Sequence, residues 1–382
     1  MIDRGAFLHG LGGLSIASNI SLQFAAPTVS IGVVSPISGP DRAAGEALQN
    51  GVRAAIDDAN RVRGAGDKLY TIRSFDDRNT VADALVNAQF ATSDPTVIAV
   101  IGHLGTKGTI AAERTYAEAL LPLLVPGVTD DKLTQSGYRS VFRLPTRDFD
   151  EGQLLGRCIA QQNKPKNAAI VVQSGDYGAG VANGIAAAFN AQKIGNFIQP
   201  FATDAPNFDA ATTAILAKTP DQITFAGNAA TLAPLLRTLR LRGYTGPCAA
   251  TQGFFDALVT AQIPKEAEGI TISSSMPNLR LVPSSYRIRS DYEARYGALA
   301  PIAAFAYSAV QIVVSAVRRS GAAGRLQLAR ALAIGGNFDT LVGSFTFGPT
   351  GDTVDPNVYF YTVRDGAFAY VKAAHPSGYI SR

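Results

Sequence analysis

Between residues 97 and 129 the chain twice runs from an apolar, β-like segment into a break of glycine, proline and threonine, and this alternation constrains the fold more than any other feature. Residues 97–101 stop at Gly102-His103-Leu104-Gly105-Thr106 and lead into a helix-like segment, while residues 120–125 stop at Pro126-Gly127-Val128-Thr129. Strands alternating with helices imply a parallel sheet covered on both faces. Each break then lies at the carboxyl end of a parallel strand, where open α/β sheets bind their ligands, and offers a hydroxyl together with backbone N–H groups. No nucleophile and base accompany the breaks, so the segment points to binding rather than to chemistry.

The alternation continues on either side. Residues 29–34 read as a buried strand, and Leu48, Val52, Ala55, Ile56 and Ala59 have the spacing of a helix face. Residues 69–75 give the next strand and 81–93 the next helix. After Phe142-Arg143-Leu144-Pro145 the pattern restarts, with a helix over 152–162, a strand over 168–172, a loop over 173–178 and a helix over 181–192. Further strands follow at 197–201, 222–226, 248–251 and 269–273. The second half thus repeats the architecture of the first without its sequence, and the fold class is α/β with two doubly wound parallel-sheet lobes. Beyond Pro283 come a polar helix (286–296), a long apolar helix (302–318), a short helix (326–334) and a β-rich tail (343–371). Ala309, Val310, Val313, Val314 and Val317 of the long helix are read as core.

With 382 residues and 47% hydrophobic content, the chain can fill two cores. The formal charge of +4 is small and its basic residues are dispersed, which argues against nucleic acid or an anionic membrane as partner. Two cysteines, Cys158 and Cys248, exclude a disulfide-stapled scaffold, and their pairing is undecided by sequence. His9, His103 and His375 lie far apart without metal-ligand spacing, so neither a metal nor a cofactor is expected.

The first 26 residues differ from the rest: Arg4 precedes an apolar, Gly-rich run, and Ala25 and Ala26 precede Pro27. The segment reads as an atypical export signal, with a disordered extension as the alternative. Residues Arg4-Gly5-Ala6-Phe7-Leu8 are similar to a twin-arginine signal lacking one arginine. No cysteine stands near the cleavage point to carry a lipid anchor, and no later apolar run is of membrane-spanning length. The expectation is a periplasmic protein, not a lipoprotein.

Five signatures, in order, carry a family resemblance: Ser35-Pro36-Ile37-Ser38-Gly39-Pro40, Asp76-Asp77, Ile101-Gly102-His103-Leu104, Pro126-Gly127-Val128-Thr129 with Leu133-Thr134, and Asp176-Tyr177-Gly178. Over residues 28–372 the chain resembles the leucine/isoleucine/valine-binding type of periplasmic solute-binding protein, which serves ABC importers. The resemblance implies the type I periplasmic binding fold, two lobes joined by three crossovers. The chain should leave lobe one near Pro145 to Asp150, return near Met276-Pro277 and cross again near Gly348 to Pro356. Lobe one would hold 28–146 plus 278–350, and lobe two 147–277 plus 351–382.

The resemblance also implies a ligand in the inter-lobe cleft. Thr106 and Thr129, with the backbone of Gly105 and Val128, would meet its carboxylate and ammonium, as suits helix N-termini. For each threonine the competing role is an N-cap of its own helix. Lys107 is either an added cation or a solvated surface lysine; Tyr177 would close over the ligand from lobe two, and Asp176 would shape that turn. Gln252 stands where amino-acid-binding members carry an acid, which disfavours a plain zwitterion because glutamine cannot neutralise an ammonium. Ala44, Asn228 and Ala303-Ala304 replace bulkier walls ahead of Phe305 and Tyr307, leaving room for a larger ligand, or for a carboxylate or amide without an amine.

Catalysis finds little support: Asp76-Asp77 and Asp130-Asp131 have no histidine partner in sequence, and Ser174-Gly175-Asp176 lacks the pattern of a nucleophile elbow. The reading is a monomeric, non-enzymatic solute-binding protein that delivers a small amino acid-like, amide or carboxylate ligand to an ABC permease in the inner membrane. A ligand-sensing receptor subunit is the alternative.

Overall fold

The computed structural model describes residues 28–64, 67–174, 178–202, 206–322, 324–374 and 380–381. In lobe one, β1 (Thr28–Ser35), α1 (Arg42–Arg61), β2 (Leu69–Asp76), α2 (Val81–Ser93), β3 (Val97–Gly102), α3 (Thr106–Glu118), β4 (Leu123–Val125) and β5 (Val141–Arg143) alternate as the periodicity requires. They form a five-stranded sheet of order β2-β1-β3-β4-β5, parallel throughout. The fourth strand is shorter than the apolar run that announces it, because Leu120 takes a left-handed φ of 52° and turns the chain before β4 begins.

Lobe two contains α4 (Asp148–Gln162), β6 (Asn167–Gln173), α5 (Ala179–Ala191), β7 (Gly195–Phe201), α6 (Phe208–Leu216), β8 (Gln222–Ala226), α7 (Ala229–Leu241), β9 (Cys248–Ala250), α8 (Ala257–Gln262) and β10 (Thr271–Ser274). The chain then supplies α9 (Ser285–Tyr296), α10 (Pro301–Ser320) and α11 (Arg325–Ile334) to lobe one. It ends with β11 (Phe338–Thr340), β12 (Gly343–Phe345), β13 (Val358–Arg364), β14 (Ala367–Ala374) and β15 (Ile380–Ser381). Antiparallel β13, β14 and β15 extend the second sheet to the order β15-β14-β13-β10-β9-β8-β6-β7.

Helix α4 starts at Asp148, four residues before the apolar face that reveals it, with Asp148, Asp150 and Glu151 in its first turn. Acids are favoured there by the positive end of the helix dipole. The early start matters because it brings two of these acids to the boundary between the lobes.

Close helix contacts rest on missing side chains. A Cβ on Gly51 of α1 would lie 2.2 Å from the carbonyl oxygen of Ala303 in α10, and one on Gly184 of α5 would lie 2.2 Å from that of Phe149 in α4. This corrects the reading of Ala303 and Ala304 as thinned cleft walls: both are fully buried in the lobe-one core, where small residues let α10 approach α1. Helix α10 is also long and apolar enough to cross a membrane, but 72% of its apolar window is buried inside the protein. Cys158 and Cys248 are buried free thiols in separate cores.

Segments 144–147, 275–284 and 346–357 pass between the lobes and are tied to one another. The Thr146 N–H donates to Ser275 Oγ at 3.3 Å, Thr146 Oγ1 to the Asn357 carbonyl at 3.3 Å, and the Tyr361 hydroxyl to the Met276 carbonyl at 2.9 Å. Gly184→Ala should force α4 and α5 apart and lower stability by about 1–3 kcal/mol, read as a fall in C_m at unchanged m in urea denaturation.

Candidate functional site

The carboxyl ends of β1 to β4 form the lobe-one rim. Gly102, at φ 143°, lies so close to β1 that a Cβ would sit 2.1 Å from the Val34 carbonyl oxygen, so the turn out of β3 requires glycine. Behind this turn His103 is fully buried, with Nδ1 2.7 Å from Asp77 Oδ2 and Nε2 3.0 Å from the Tyr116 hydroxyl. One acid of the first Asp-Asp pair therefore braces the loop. The other, Asp76, accepts from the Ile37 N–H and Ser38 Oγ. Partial burial pushes its carboxyl up, but the Ser38 hydroxyl and the Arg78 and Ile37 N–H groups outweigh this and hold it below the usual range.

Helix α3 begins at Thr106 with Gly105 as N-cap, so neither threonine nor glycine gives it a side-chain cap. The positive helix end faces the rim without a side-chain cap from its N-cap residue, a setting that stabilises an anion. Thr106 is half-buried at the first helical position and Lys107 is exposed beside it. Asn79 packs over Gly105 and donates to Asp41 Oδ2 at 2.7 Å; the sequence reading passed over both residues, whose only signal was their place after β2 and before α1.

Thr129, after β4, is also not a helix cap; the following turn is capped by Asp130, which accepts from the Lys132 N–H. The Thr129 carbonyl accepts from the Asp148 N–H at 3.0 Å, and its hydroxyl lies near enough to the Asp148 carboxyl to oppose the rise that burial causes. The half-buried threonine thus touches the start of lobe two. Val128 is 1% exposed within the lobe-one core, so what it can offer a ligand is backbone.

Across the gap the lobe-two rim comes from the ends of β6, β8 and β9. Asn228 caps α7 by accepting from the Thr231 N–H, and its own N–H donates to Gln173 Oε1 at 2.9 Å. Gln252 is half-buried, and its N–H donates to Glu151 Oε1 at 2.9 Å. Tyr177 and Asp176 lie outside the described residues. Beside the Thr129 contact, Asp130, Asp131, Lys132 and Gln135 of lobe one face Asp148, Ala179, Gly180 and Asn183 of lobe two around a cavity of about 330 Å³.

Three acids at this boundary are hard to ionise. Burial pushes Asp148 up to about 6, with the Thr129 hydroxyl opposing and Asp131 and Asp130 adding to the rise. Burial likewise raises Asp131 against the hydrogen bond from the Phe149 N–H. Glu151 is pushed up to about 7 by burial, despite bonds from Ser273 and the Gln252 N–H. No group of three or more His, Cys, Asp or Glu with the geometry to hold a metal occurs among the described residues.

A family model for periplasmic binding proteins matches residues 28–367, and the chain belongs to that family. Relatives named as leucine/isoleucine/valine-binding proteins are among those the chain matches. A Leu/Ile/Val-binding protein of Rhizobium johnstonii is 26% identical over 351 residues, covering 91% of this chain and 94% of that one. A leucine-binding protein from Thermotoga maritima superposes with a TM-score of 0.79 at 22% identity, covering 91% of this chain and 99% of its own. A substrate-binding protein of an ABC transporter from Desulfitobacterium hafniense, solved with Leu, gives 0.78 at 25% identity over 90% of this chain and all of that one.

The raised acids carry a sign. Asp148 and Glu151 hold protons more tightly folded than unfolded, so they favour the fold fully below their unfolded values near 4 and lose that contribution as pH rises through about 6 and 7. Urea denaturation between pH 5 and pH 8 should show stability falling by roughly 1–3 kcal/mol, and Asp148→Asn should shrink the loss.

Proposed function

We propose that the protein captures an amino acid-like solute with a free carboxylate between its lobes and presents the closed form to an ABC permease. The observation that carries this reading is the start of α3, where Gly105 leaves first-turn N–H groups without a side-chain cap, opposite a second rim of strand ends. A carboxylate there accepts charge-assisted bonds from N–H groups and from the Thr106 hydroxyl. Gly105, Thr106, Val128 and Thr129 bind from lobe one, and Tyr177, Asn228 and Gln252 from lobe two, with Lys107 adding positive potential at the rim. The Leu/Ile/Val-binding names of the relatives support a branched aliphatic amino acid or a close derivative.

The mechanism is a hinge. Ligand docks on lobe one, and lobe two swings over it about the three crossing segments, excluding water. The shift is limited by the difference in affinity between open and closed forms, which contacts from both rims create. Thr129 is already joined to Asp148 of lobe two through its carbonyl, so a ligand engaging its hydroxyl sits beside an inter-lobe contact. The first 26 residues export the chain to the periplasm, where it works as a monomer.

A thermal-shift screen of L-leucine, L-isoleucine, L-valine and their deaminated acids identifies the ligand, since binding the native state raises its apparent stability. Thr129→Ala should then weaken that ligand by about 1–3 kcal/mol in calorimetry, and unchanged affinity removes Thr129 from the site.

A further inference from the structure

Glu151 lies in the first turn of α4, beneath the lobe-two rim, and is fully buried. Its Oε1 accepts from the Gln252 N–H at 2.9 Å and from Ser273 Oγ at 2.6 Å, while Oε2 accepts nothing from the described residues. A buried carboxylate with one empty oxygen is costly unless it keeps a proton or gains a positive partner. Among the described residues no cation answers it. Among the described residues the Ser273 hydroxyl and the Gln252 main-chain N–H are its favourable neighbours, and Asp148, one turn back, adds negative potential. Helix α5 and strand β10, which pack against α4, carry no titratable side chain, and Arg147 is held by Asp150 at 2.8 Å. The structure therefore contains an acid in contact with Gln252, a rim residue that can bond an ammonium but cannot neutralise it.

We infer that Glu151 supplies the counter-charge for a cationic amine on the ligand, as a positioning residue acting through space from behind the Gln252 main chain. The inference rests on the proposed amino-acid reading of the cleft. It gives that reading a chemical form: the negative charge stands one layer behind the rim, on α4, against the Gln252 main-chain N–H. Binding is then linked to a proton, because the free protein holds Glu151 partly protonated near neutrality. An ammonium settling at Gln252 drives that proton to solvent, leaving a carboxylate paired with a cation.

The test is calorimetry on the full chain at pH 6 and pH 8, in two buffers of different ionisation enthalpy, with L-leucine and its deaminated counterpart 4-methylpentanoate. Wild type should bind leucine more tightly at pH 8, by up to about tenfold, and release a fraction of a proton near pH 7. Glu151→Gln should lose the proton release and the pH dependence and bind leucine about tenfold or more weakly, with 4-methylpentanoate little changed. Glu151→Gln combined with Gln252→Glu should recover leucine binding by returning the charge to the rim, and Asp148→Asn should leave the proton release in place. A Glu151→Gln protein that keeps wild-type leucine affinity and pH profile, or that loses both ligands equally, overturns the inference while the solute-binding reading stands. A wild type that binds 4-methylpentanoate and not leucine, or neither, overturns the amino-acid reading and the inference with it.

Discussion

Arg143 holds the architecture together at the point where the chain leaves lobe one. Its fully buried guanidinium donates to Asp352 Oδ1 at 2.8 Å, to the Asp130 carbonyl at 2.6 Å and to Thr134 Oγ1 at 2.9 Å. Those partners lie on the third crossing segment and on the turn that follows Thr129, so one side chain fixes the exit of β5, a strand of the hinge and the back of the rim. A buried guanidinium demands this many acceptors, because removing it from water is expensive unless its fork of donors is filled. The Arg143 N–H donates to the Gly351 carbonyl at 3.0 Å, which keeps Gly351 to Thr353 against lobe one before the chain crosses.

Against that fixed point the remaining charges are deliberately unsettled. Glu113 of α3 is buried without a well-formed hydrogen bond and is pushed up to about 7, with the Ser136 hydroxyl and the Arg143 charge only partly opposing. Asp148 and Glu151, at the lobe boundary, are also raised by burial, and each has one carboxylate oxygen without a partner among the described residues. Such groups lower stability once ionised, and two of the three stand at the boundary between the lobes. A boundary that carries hydrogen bonds and buried acids is one that a ligand's contacts can shift.

Much of the fold was legible in the order of the residues. Period-2 and helical patterning located the strands and helices because burial on a sheet or a helix face repeats with backbone geometry. The strand-end breaks at Gly102 to Thr106 and Pro126 to Thr129 marked the rim for the same reason: a parallel strand must end in a turn, and the turn must expose backbone groups. Legibility failed where packing partners are distant in sequence. Ala303 and Ala304 read as cleft residues because nothing local distinguishes a small residue facing a gap from one that admits Gly51 of a neighbouring helix. The partnership of Asp77 with His103, 26 residues on, and of Glu151 with Gln252, 101 residues on, left no local trace.

By itself the sequence determined the class of protein: two α/β lobes, glycine- and threonine-rich breaks at strand ends, and a family signature spread along most of the chain. Only the tertiary structure decided the electrostatics of the gap, namely that Gly105 leaves α3 without a side-chain cap, that Thr129 is already engaged by Asp148, and that an acid waits behind Gln252. The division has a physical cause. Periodicity reports how each segment meets its own layer, whereas the charge state of a carboxylate depends on desolvation and on neighbours that folding gathers from remote parts of the chain.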